Sequence, residues 1–178
     1  MVSSDRDLSN HEAPGELERV RDLLNTWVIP NDTRRPTDLF DSYARRERLT
    51  QAQAGMVRKL RDDLRLAVER DPSAEDRINT WMRRVRVRVV LRDGVVVFLH
   101  NDSPAGELVG TVLRSVNDGT WERLKACPDC HWVFYDHSRN GSKRWCLMNA
   151  AGAGGRGCGT IAKVQRHRRA RSQAGAAS

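Results

Sequence analysis

The sequence predicts an α+β protein, with a mainly helical N-terminal domain that contains a β-hairpin and a small C-terminal finger held together by cysteines. Two observations predict the first part. Apolar residues recur at helical spacing through most of residues 15–122, and at one point the period changes to strict alternation. The third observation is that all four cysteines lie between residues 127 and 158. A chain of 178 residues has room for one domain and a small appendage.

Helical spacing of apolar residues predicts five helices before the first cysteine. Thr37 and Thr50 are placed to cap the second and the third of them. Ser103 and Pro104 form the cap and first-turn pair of the last helix, which Gly119 ends. The predicted helices cover residues 15–29, 38–49, 51–70, 73–81 and 104–117.

A β-hairpin is predicted between the fourth and fifth helices. Valine alternates with arginine over residues 85–89, as in a half-buried strand, and residues 95–100 form a second apolar run. Asp93 and Gly94 lie between the two runs, and both central positions of a type I′ turn need the positive φ that these residues tolerate. The arginines of the first strand are expected to face water.

Composition divides the chain into segments. Residues 1–14 and 173–178 are expected to be disordered termini, and residues 15–122 to form the domain with the helices and the hairpin. Residues 123–172 form the cysteine-bearing finger, in which residues 150–157 are a glycine-rich insertion.

The positive charge is concentrated in the part of the chain that bears the cysteines. Residues 1–126 carry 22 Lys and Arg against 21 Asp and Glu, a net charge of +1, whereas residues 127–178 carry 9 against 2, a net charge of +7. This asymmetry predicts a neutral domain joined to a module that contacts nucleic acid or another anionic partner. A basic tail that only aids solubility is the alternative.

The sequence contains no predicted membrane span or secretory signal. Its longest apolar run, residues 95–99, is far shorter than the roughly 18 residues of a membrane helix, and residues 1–15 lack the apolar core of a signal peptide. We therefore expect a cytoplasmic protein, associated with the nucleoid if it binds DNA. Clustered cysteines in a reducing compartment hold a metal more often than they form disulfides.

The spacing of the cysteines is typical of a zinc site. Cys127 and Cys130 form a CxxC pair, and Cys146 follows after fifteen intervening residues. Cys158 lies after another eleven residues and is the expected fourth ligand. His131, His137 and His167 are alternatives to Cys158. An iron–sulfur cluster and a redox-active disulfide are alternatives to zinc.

The expected zinc ion is structural. A segment of about 50 residues with few large apolar side chains buries too little area to fold alone, so the metal must supply the missing stability. Four thiolates also leave no open coordination position for a catalytic water. The sequence thus predicts a zinc-stapled finger with one structural Zn²⁺ ion.

Two basic segments of the finger are candidates for contacts with nucleic acid. One is the loop with Arg139, Lys143 and Arg144, and the other is a basic helix after Ile161 that has almost no apolar stripe of its own. If zinc joins the two segments, their cations form one positive surface. The candidate cations of this helix are Lys163, Arg166, Arg168, Arg169 and Arg171.

The finger resembles a known family. The stretch CPDCHWVFYDHSRNGSKRWC at 127–146, followed by CGTIAKVQRHRRARS at 158–172, is similar to the CGNR-type zinc finger found at the C-terminus of bacterial transcription regulators. The matching residues are Trp132, Phe134, Asp136, Ser138, Arg139, Asn140, Arg144, Trp145 and Cys146.

The upstream part is similar to the ABATE domain that accompanies this finger. It has LLNTW at 23–27, PTDLF at 36–40, a hairpin, and a helix that leads to the first cysteine. The resemblance implies a stress-linked or environmentally responsive transcription regulator whose finger binds DNA, with Asn140 and the loop arginines among its contacts. The chain departs from the family at Thr160 and Ile161, where the family has Asn and Arg. If the family residues touch DNA, binding here is altered; if they brace the last helix, Thr160 caps it and Ile161 packs inward.

The residues and the resemblance together predict a DNA-binding transcription regulator, not an enzyme, whose N-terminal domain senses an effector or forms a homodimer. The first alternative is a metal-dependent nuclease, with Asp136, His137 and Asn140 as its catalytic residues. The second is a zinc module that binds RNA or a protein. Duplex DNA is the expected partner.

Overall fold

A computed structural model describes residues 11–30, 33–147 and 157–164 of the chain. It confirms the mixed α+β class, with helices, small antiparallel sheets and a cysteine cluster near the C-terminus. The helices are α1 (Leu17–Leu24), α2 (Phe40–Arg46), α3 (Gln51–Val68), α4 (Ala74–Arg84) and α5 (Pro104–Asn117), and a 3₁₀ turn covers Thr120–Arg123. A further helix begins at residue 158, and its described part extends to residue 164.

The strands form three separate antiparallel pairs. They are β1 (Trp27–Val28) with β2 (Thr37–Asp38), β3 (Arg88–Arg92) with β4 (Val95–Leu99), and β5 (Leu124–Ala126) with β6 (Val133–Tyr135). None of the helices in the described ranges is long and apolar enough to span a bilayer.

One core joins the helices to the last hairpin. α1, α3 and α5 pack on one another, and both β5 and β6 contribute buried side chains to the same cluster. Its fully buried members include Val20, Leu23, Leu24, Leu60, Leu64, Val112, Leu124 and Val133. The first cysteine therefore follows a strand that the helical core already holds in place.

The first helix is shorter than its apolar period predicts. The predicted helix ran to residue 29, but α1 ends at Leu24, and Trp27 and Val28 form a strand. The cause is Asn25, whose side chain pairs with the backbone of Val133 like a neighbouring strand. Its Nδ2 donates to the Val133 carbonyl at 2.8 Å, and its Oδ1 accepts from the Val133 N–H at 2.8 Å.

The second helix also begins later than predicted. Thr37 does not cap it, because Thr37 and Asp38 form β2 and pair with Val28 and Trp27. α2 begins at Phe40, whose N–H donates to Asp38 Oδ1 at 2.9 Å.

The third helix agrees with the prediction. Thr50 caps α3 in a reciprocal capping box with Gln53, and Leu60, Leu64 and Val68 are buried on one face as expected. The predicted apolar face of α3 differs at one position, because Val57 is buried and Met56 is only partly buried.

The hairpin has the predicted turn and a shorter first strand. Asp93 and Gly94 have φ values of 50° and 77°, as a type I′ turn requires. β3 begins at Arg88, three residues after the predicted start, because Val85 is fully buried at the end of α4 and Arg86 has a φ of 56°. Arg88 faces water, as predicted, but Val89 is also exposed, so the predicted half-buried alternation is wrong at that residue.

The N-terminal segment contacts the finger. The sequence predicted disorder up to residue 14, whereas His11 and Ala13 are buried. The His11 Nε2 atom lies 2.7 Å from the carbonyl oxygen of Cys146. Sequence spacing contains no signal for this contact, which joins residues 135 positions apart.

We expect Asn25→Ala to lower the free energy of unfolding by about 2 to 3 kcal/mol, because it leaves the buried N–H and C=O of Val133 without partners. Urea denaturation of the zinc-loaded protein measures this change. Asn79→Ala, at an exposed position of α4, is the matched control and should shift stability by less than about 0.5 kcal/mol. Equal effects of the two substitutions would refute the role given to Asn25.

Candidate metal centre

The first half of the centre is a tight turn that follows β5. Cys127 comes directly after the strand and Cys130 three residues later. The His131 N–H donates to the Cys127 carbonyl at 2.8 Å, and the Cys127 N–H donates to the Trp132 carbonyl at 2.9 Å. His131 adopts a left-handed backbone with a φ of 56°, which lets the chain reverse into β6. The turn brings both sulfur atoms to one side.

The second half comes from a separate stretch of chain. Cys146 follows the loop after β6, and Cys158 begins the last described helix. The Gly159 N–H donates to the Leu147 carbonyl at 3.0 Å and so ties the helix to the segment that carries Cys146. The residues between these two segments, 148–156, lie outside the described part of the chain, and with them most of the predicted insertion 150–157.

The four sulfur atoms form one cluster. The Sγ atoms of Cys127, Cys130, Cys146 and Cys158 all lie within 4.8 Å of one another, and all four residues are buried. The distances are 3.4 Å from Cys130 to Cys146 and 3.7 Å from Cys146 to Cys158. Four sulfurs at about 2.3 Å from a tetrahedral zinc ion would be about 3.8 Å apart. The cluster therefore fits one structural Zn²⁺ ion.

The electrostatics of the thiols also favour a cation. Hydrogen bonds from Cys130, Cys146 and Cys158 lower the pKa of Cys127. Hydrogen bonding to Cys127, and then to Cys130, raises the pKa values of Cys146 and Cys158. The pKa of Cys130 is also lowered, against the opposing effect of Cys127. Ionisation is therefore costly at Cys146 and Cys158, and a divalent ion removes this cost as it displaces their protons.

The structure separates the candidate fourth ligands. Cys158 belongs to the sulfur cluster, whereas the imidazoles of two histidines contact other groups. His131 Nδ1 lies 3.1 Å from Glu69, and His137 Nε2 lies 2.8 Å from the Glu12 carbonyl. His167 lies outside the described residues. All four cysteines are free thiols, without a disulfide.

Charged and aromatic contacts dock the CxxC turn on the helical core. The guanidinium of Arg65 lies 4.5 Å from the Trp27 ring centre and donates to the His131 carbonyl at 3.0 Å. The His131 ring meets the Trp27 ring edge to face at 5.6 Å. On the other side of the turn, Arg34 donates to the Asp129 carbonyl at 2.9 Å. The core thus holds the first two ligands independently of the second half of the centre.

A buried carboxylate shapes the loop between the two halves. Asp136 is fully buried, and its two oxygens accept four hydrogen bonds, from the Lys125 ammonium, the Ser138 N–H and hydroxyl, and the Lys143 N–H. Lys125 also donates to the carbonyl of Gly141. Burial would raise the pKa of Asp136, but these hydrogen bonds outweigh it and lower the pKa to about 2. Asp136 therefore stays ionised and fixes the course of residues 137–143.

The predicted basic residues of the loop occupy two places. Arg139 and Asn140 are exposed at its tip. Lys143 and Arg144 line a groove of about 430 Å³ between the C-terminal end of α3 and the CxxC turn, to which Arg70 and Lys125 also contribute. The Lys143 ammonium is partly engaged inside the fold, 2.9 Å from His11 Nε2.

The helix that follows Cys158 is described only in part. Lys163 is exposed on it, but Arg166, Arg168, Arg169 and Arg171 lie outside the described residues. Thr160 is not its cap, because the helix begins two residues earlier, and Ile161 is half-buried.

Sequence reasoning missed the residues that hold the centre from outside the finger motif. Asn25, Arg34 and Arg65 reach the CxxC turn or β6 from the helical part of the chain, and each is more than 60 positions from its partner. Lys125 could have been noticed from the sequence, because it is an isolated lysine two residues before the first cysteine ligand. The other contacts depend on tertiary packing and leave no local pattern.

Comparison with known proteins identifies the finger. Residues 123–171 match the family model described as CGNR zinc finger. No curated protein matches the chain.

We expect the purified protein to contain about one zinc per chain. Cys158→Ser should lower its zinc affinity at least about a hundredfold, because loss of a metal ligand weakens binding more than mutation of a residue that only contacts a ligand. Competition with a chromogenic chelator measures the affinity. His137→Gln is the control and should keep tight zinc. If Cys158→Ser kept the wild-type zinc affinity and the double variant Cys158→Ser with His167→Gln lost it, His167 would be the fourth ligand.

We expect Asp136→Asn to lower the free energy of unfolding at pH 7 by about 2 kcal/mol, because its amide nitrogen would meet the donors Lys125 Nζ and Lys143 N–H. The wild-type advantage should be constant from pH 7 to pH 5 and shrink only between about pH 4 and pH 2, since the folded pKa lies below the unfolded value. Denaturant unfolding across this pH range tests both. Asp93→Asn, in the exposed turn, should change little. An advantage that already fades above pH 5 would exclude Asp136 as its source.

Proposed function

Since residues 123–171 belong to the CGNR zinc-finger family, we propose that the chain is a DNA-binding transcription regulator whose finger holds one structural zinc ion. The observation that supports this most strongly is the charge of residues 127–178, which carry nine Lys and Arg against two Asp and Glu. One of those two acids, Asp136, is buried. The other acid, Asp129, is paired with Arg34, so the charge of residues 127–178 favours an anionic partner.

The exposed cations of the finger are available for an external anion. Arg139, Arg144 and Lys163 are exposed and make no ion pair with any residue that the structure describes. Most other arginines near the centre are paired, as Arg34 is with Asp129 and Arg70 with Glu122. Unpaired guanidinium groups on one module are typical of a phosphate-binding surface.

The groove beside the CxxC turn supports the same function. Four Lys and Arg side chains and one acid, Glu69, line it. Arg70 is paired with Glu122 and Lys125 with Asp136, whereas Arg144 is exposed and makes no ion pair with any residue that the structure describes. The exposed guanidinium of Arg144 in this groove can attract a polyanion such as the DNA backbone.

The buried carboxylate favours binding over hydrolysis. The nuclease alternative needs Asp136 as a ligand to a second metal ion, but both of its oxygens are occupied by hydrogen bonds inside the fold. His137 contacts the Glu12 carbonyl. We therefore propose a non-enzymatic role.

The proposal also covers the role of the helical part, the location of the protein and the partner of the finger. We propose that the helical part of the chain, which resembles an ABATE domain, senses an effector in an environmental response or mediates self-association. In this view the protein acts in the cytoplasm at the nucleoid. Duplex DNA is the proposed partner of the finger.

The salt dependence of DNA binding tests the proposal. If the five cations at 163, 166, 168, 169 and 171 neutralise phosphates, log K should fall with log salt with a slope of about −4 to −5. Deletion of residues 163–178 should reduce the magnitude of this slope to about 2 or below and leave the zinc content unchanged. Fluorescence anisotropy with a labelled duplex gives both slopes.

Single substitutions locate the surface. Arg139→Gln and Arg144→Gln should each weaken binding several-fold, whereas Arg45→Gln, at an exposed position of α2, is the control and should have no effect. Thr160→Asn with Ile161→Arg should tighten binding if these family positions touch DNA, and should change mainly stability if they brace the helix. Absence of any DNA affinity at about 50 mM salt, where screening is weak, would refute the proposal, and binding to RNA alone would redirect it.

A further inference from the structure

The outer edge of β4 is an uncharged strand edge. The strand reads VVVFL and pairs on one side only, with β3. Within the described ranges, no residue outside this hairpin forms a hydrogen bond with the β4 backbone. Natural proteins protect exposed edges with a charged residue, a proline or a bulge, and β4 contains neither a charge nor a proline and pairs with β3 in unbroken register.

The register shows which backbone groups point outward from β4. The two-residue turn joins Arg92 to Val95, so these residues form a hydrogen-bonded pair next to the turn. Hydrogen-bonded and non-hydrogen-bonded pairs alternate along an antiparallel ladder. The N–H and C=O groups of Val96 and Phe98 therefore point away from β3, toward the unpaired edge. α5 also contacts β4, but none of the described α5 residues forms a hydrogen bond with the β4 backbone.

The opposite edge of the hairpin differs in charge. β3 carries Arg88 and Arg92 near its two ends, and both are exposed. Two β3 strands paired antiparallel about Val90 would place Arg88 directly opposite Arg92 of the other copy, twice. Like charges in directly opposed positions destabilise a sheet, so β3 is protected against self-association and β4 is not.

From these observations we infer that β4 is a homodimer interface, at which β4 pairs antiparallel with β4 of a second copy across a two-fold axis at Val97. This register aligns all five residues of the strand. It also places the outward groups of Val96 opposite those of Phe98 in the second copy, which gives four intermolecular backbone hydrogen bonds. The resulting interface is self-complementary, as two-fold symmetry requires.

The distribution of side chains agrees with this arrangement. Val95, which is 62% exposed, would lie beside Leu99 of the second copy, and the two Val97 side chains would meet at the axis. The two β3 strands would become the outer strands of a four-stranded sheet, about 14 Å apart at a spacing of about 4.8 Å. The arginines therefore flank the interface without facing one another.

The inference assigns a surface, the β4 edge, to the self-association proposed above, and it does not depend on what the finger binds. A dimer would carry two fingers related by a two-fold axis. Its test measures mass, and its outcome is therefore separate from that of the DNA-binding experiment.

Sedimentation equilibrium of the full-length, zinc-loaded protein tests the interface. We expect the wild type to have twice the 20.2 kDa mass of the chain. Val97→Lys should raise the dimer dissociation constant at least about tenfold, because two ammonium groups would meet at the axis. Leu91→Lys is the matched control, since Leu91 is 74% exposed on β3, and this variant should remain dimeric.

Three outcomes would overturn the inference. The first is a monomeric wild type at about 100 μM, a concentration at which a specific dimer of micromolar affinity is populated. The second is a Val97→Lys variant that is as dimeric as the wild type. The third is equal dissociation of the Val97→Lys and Leu91→Lys variants. A monomeric wild type that still binds DNA would overturn the dimer and leave the proposed function intact. A dimer without DNA affinity would refute the proposed DNA binding and leave the β4 interface intact.

A cysteine at the axis tests the register even if the lysine variant folds poorly. The two Val97 residues would form a non-hydrogen-bonded pair with their Cα atoms about 4.5 Å apart, within the range for a disulfide. Val97→Cys should therefore form a covalent dimer under mild oxidation, with its zinc content unchanged. Val90→Cys, on the protected strand, should not, and cross-linking of both variants to the same extent would contradict the register.

Discussion

Four sulfur atoms within 4.8 Å of one another impose the constraint on which the C-terminal part of this protein depends. Four buried thiolates repel one another strongly, and four thiols have only weak S–H donors and weak sulfur acceptors to hold them together. A divalent cation resolves both problems, and it joins two stretches of chain whose ligands Cys130 and Cys146 lie 16 residues apart. The helix that begins at Cys158 owes its position beside the CxxC turn to this ion.

The two halves of the centre depend on the metal to different degrees. β5 and β6 share the helical core through Leu124 and Val133, so the first two ligands are held by ordinary packing. Asn25 and Arg65 add hydrogen bonds to the same region from the helices. The second half has far less apolar support, because Trp145 and Leu147 pack mainly around the cysteines. The second half of the centre therefore depends more on the metal than the first half does.

Local chemistry explains which features were predictable from the sequence. The Thr50 capping box and the Asp93–Gly94 turn depend on residues within a few positions of each other, and ligand spacing similarly revealed the metal site. The end of α1 was wrongly predicted because its cause, the pairing of Asn25 with Val133, spans 108 positions. The buried place of His11 and the neutralisation of Asp136 by Lys125 also required the tertiary structure.

The way the core holds the CxxC turn has a consequence for the order of assembly. During synthesis the helices emerge first and can fold as a unit, and β5 and β6 complete their core. An arriving ion then meets a preformed pair of thiols from Cys127 and Cys130, and only short loops remain to be closed to bring in Cys146 and Cys158. Closing such loops costs little entropy. The packing of β5 and β6 on the helical core thus leaves the metal with only Cys146 and Cys158 to bring into place.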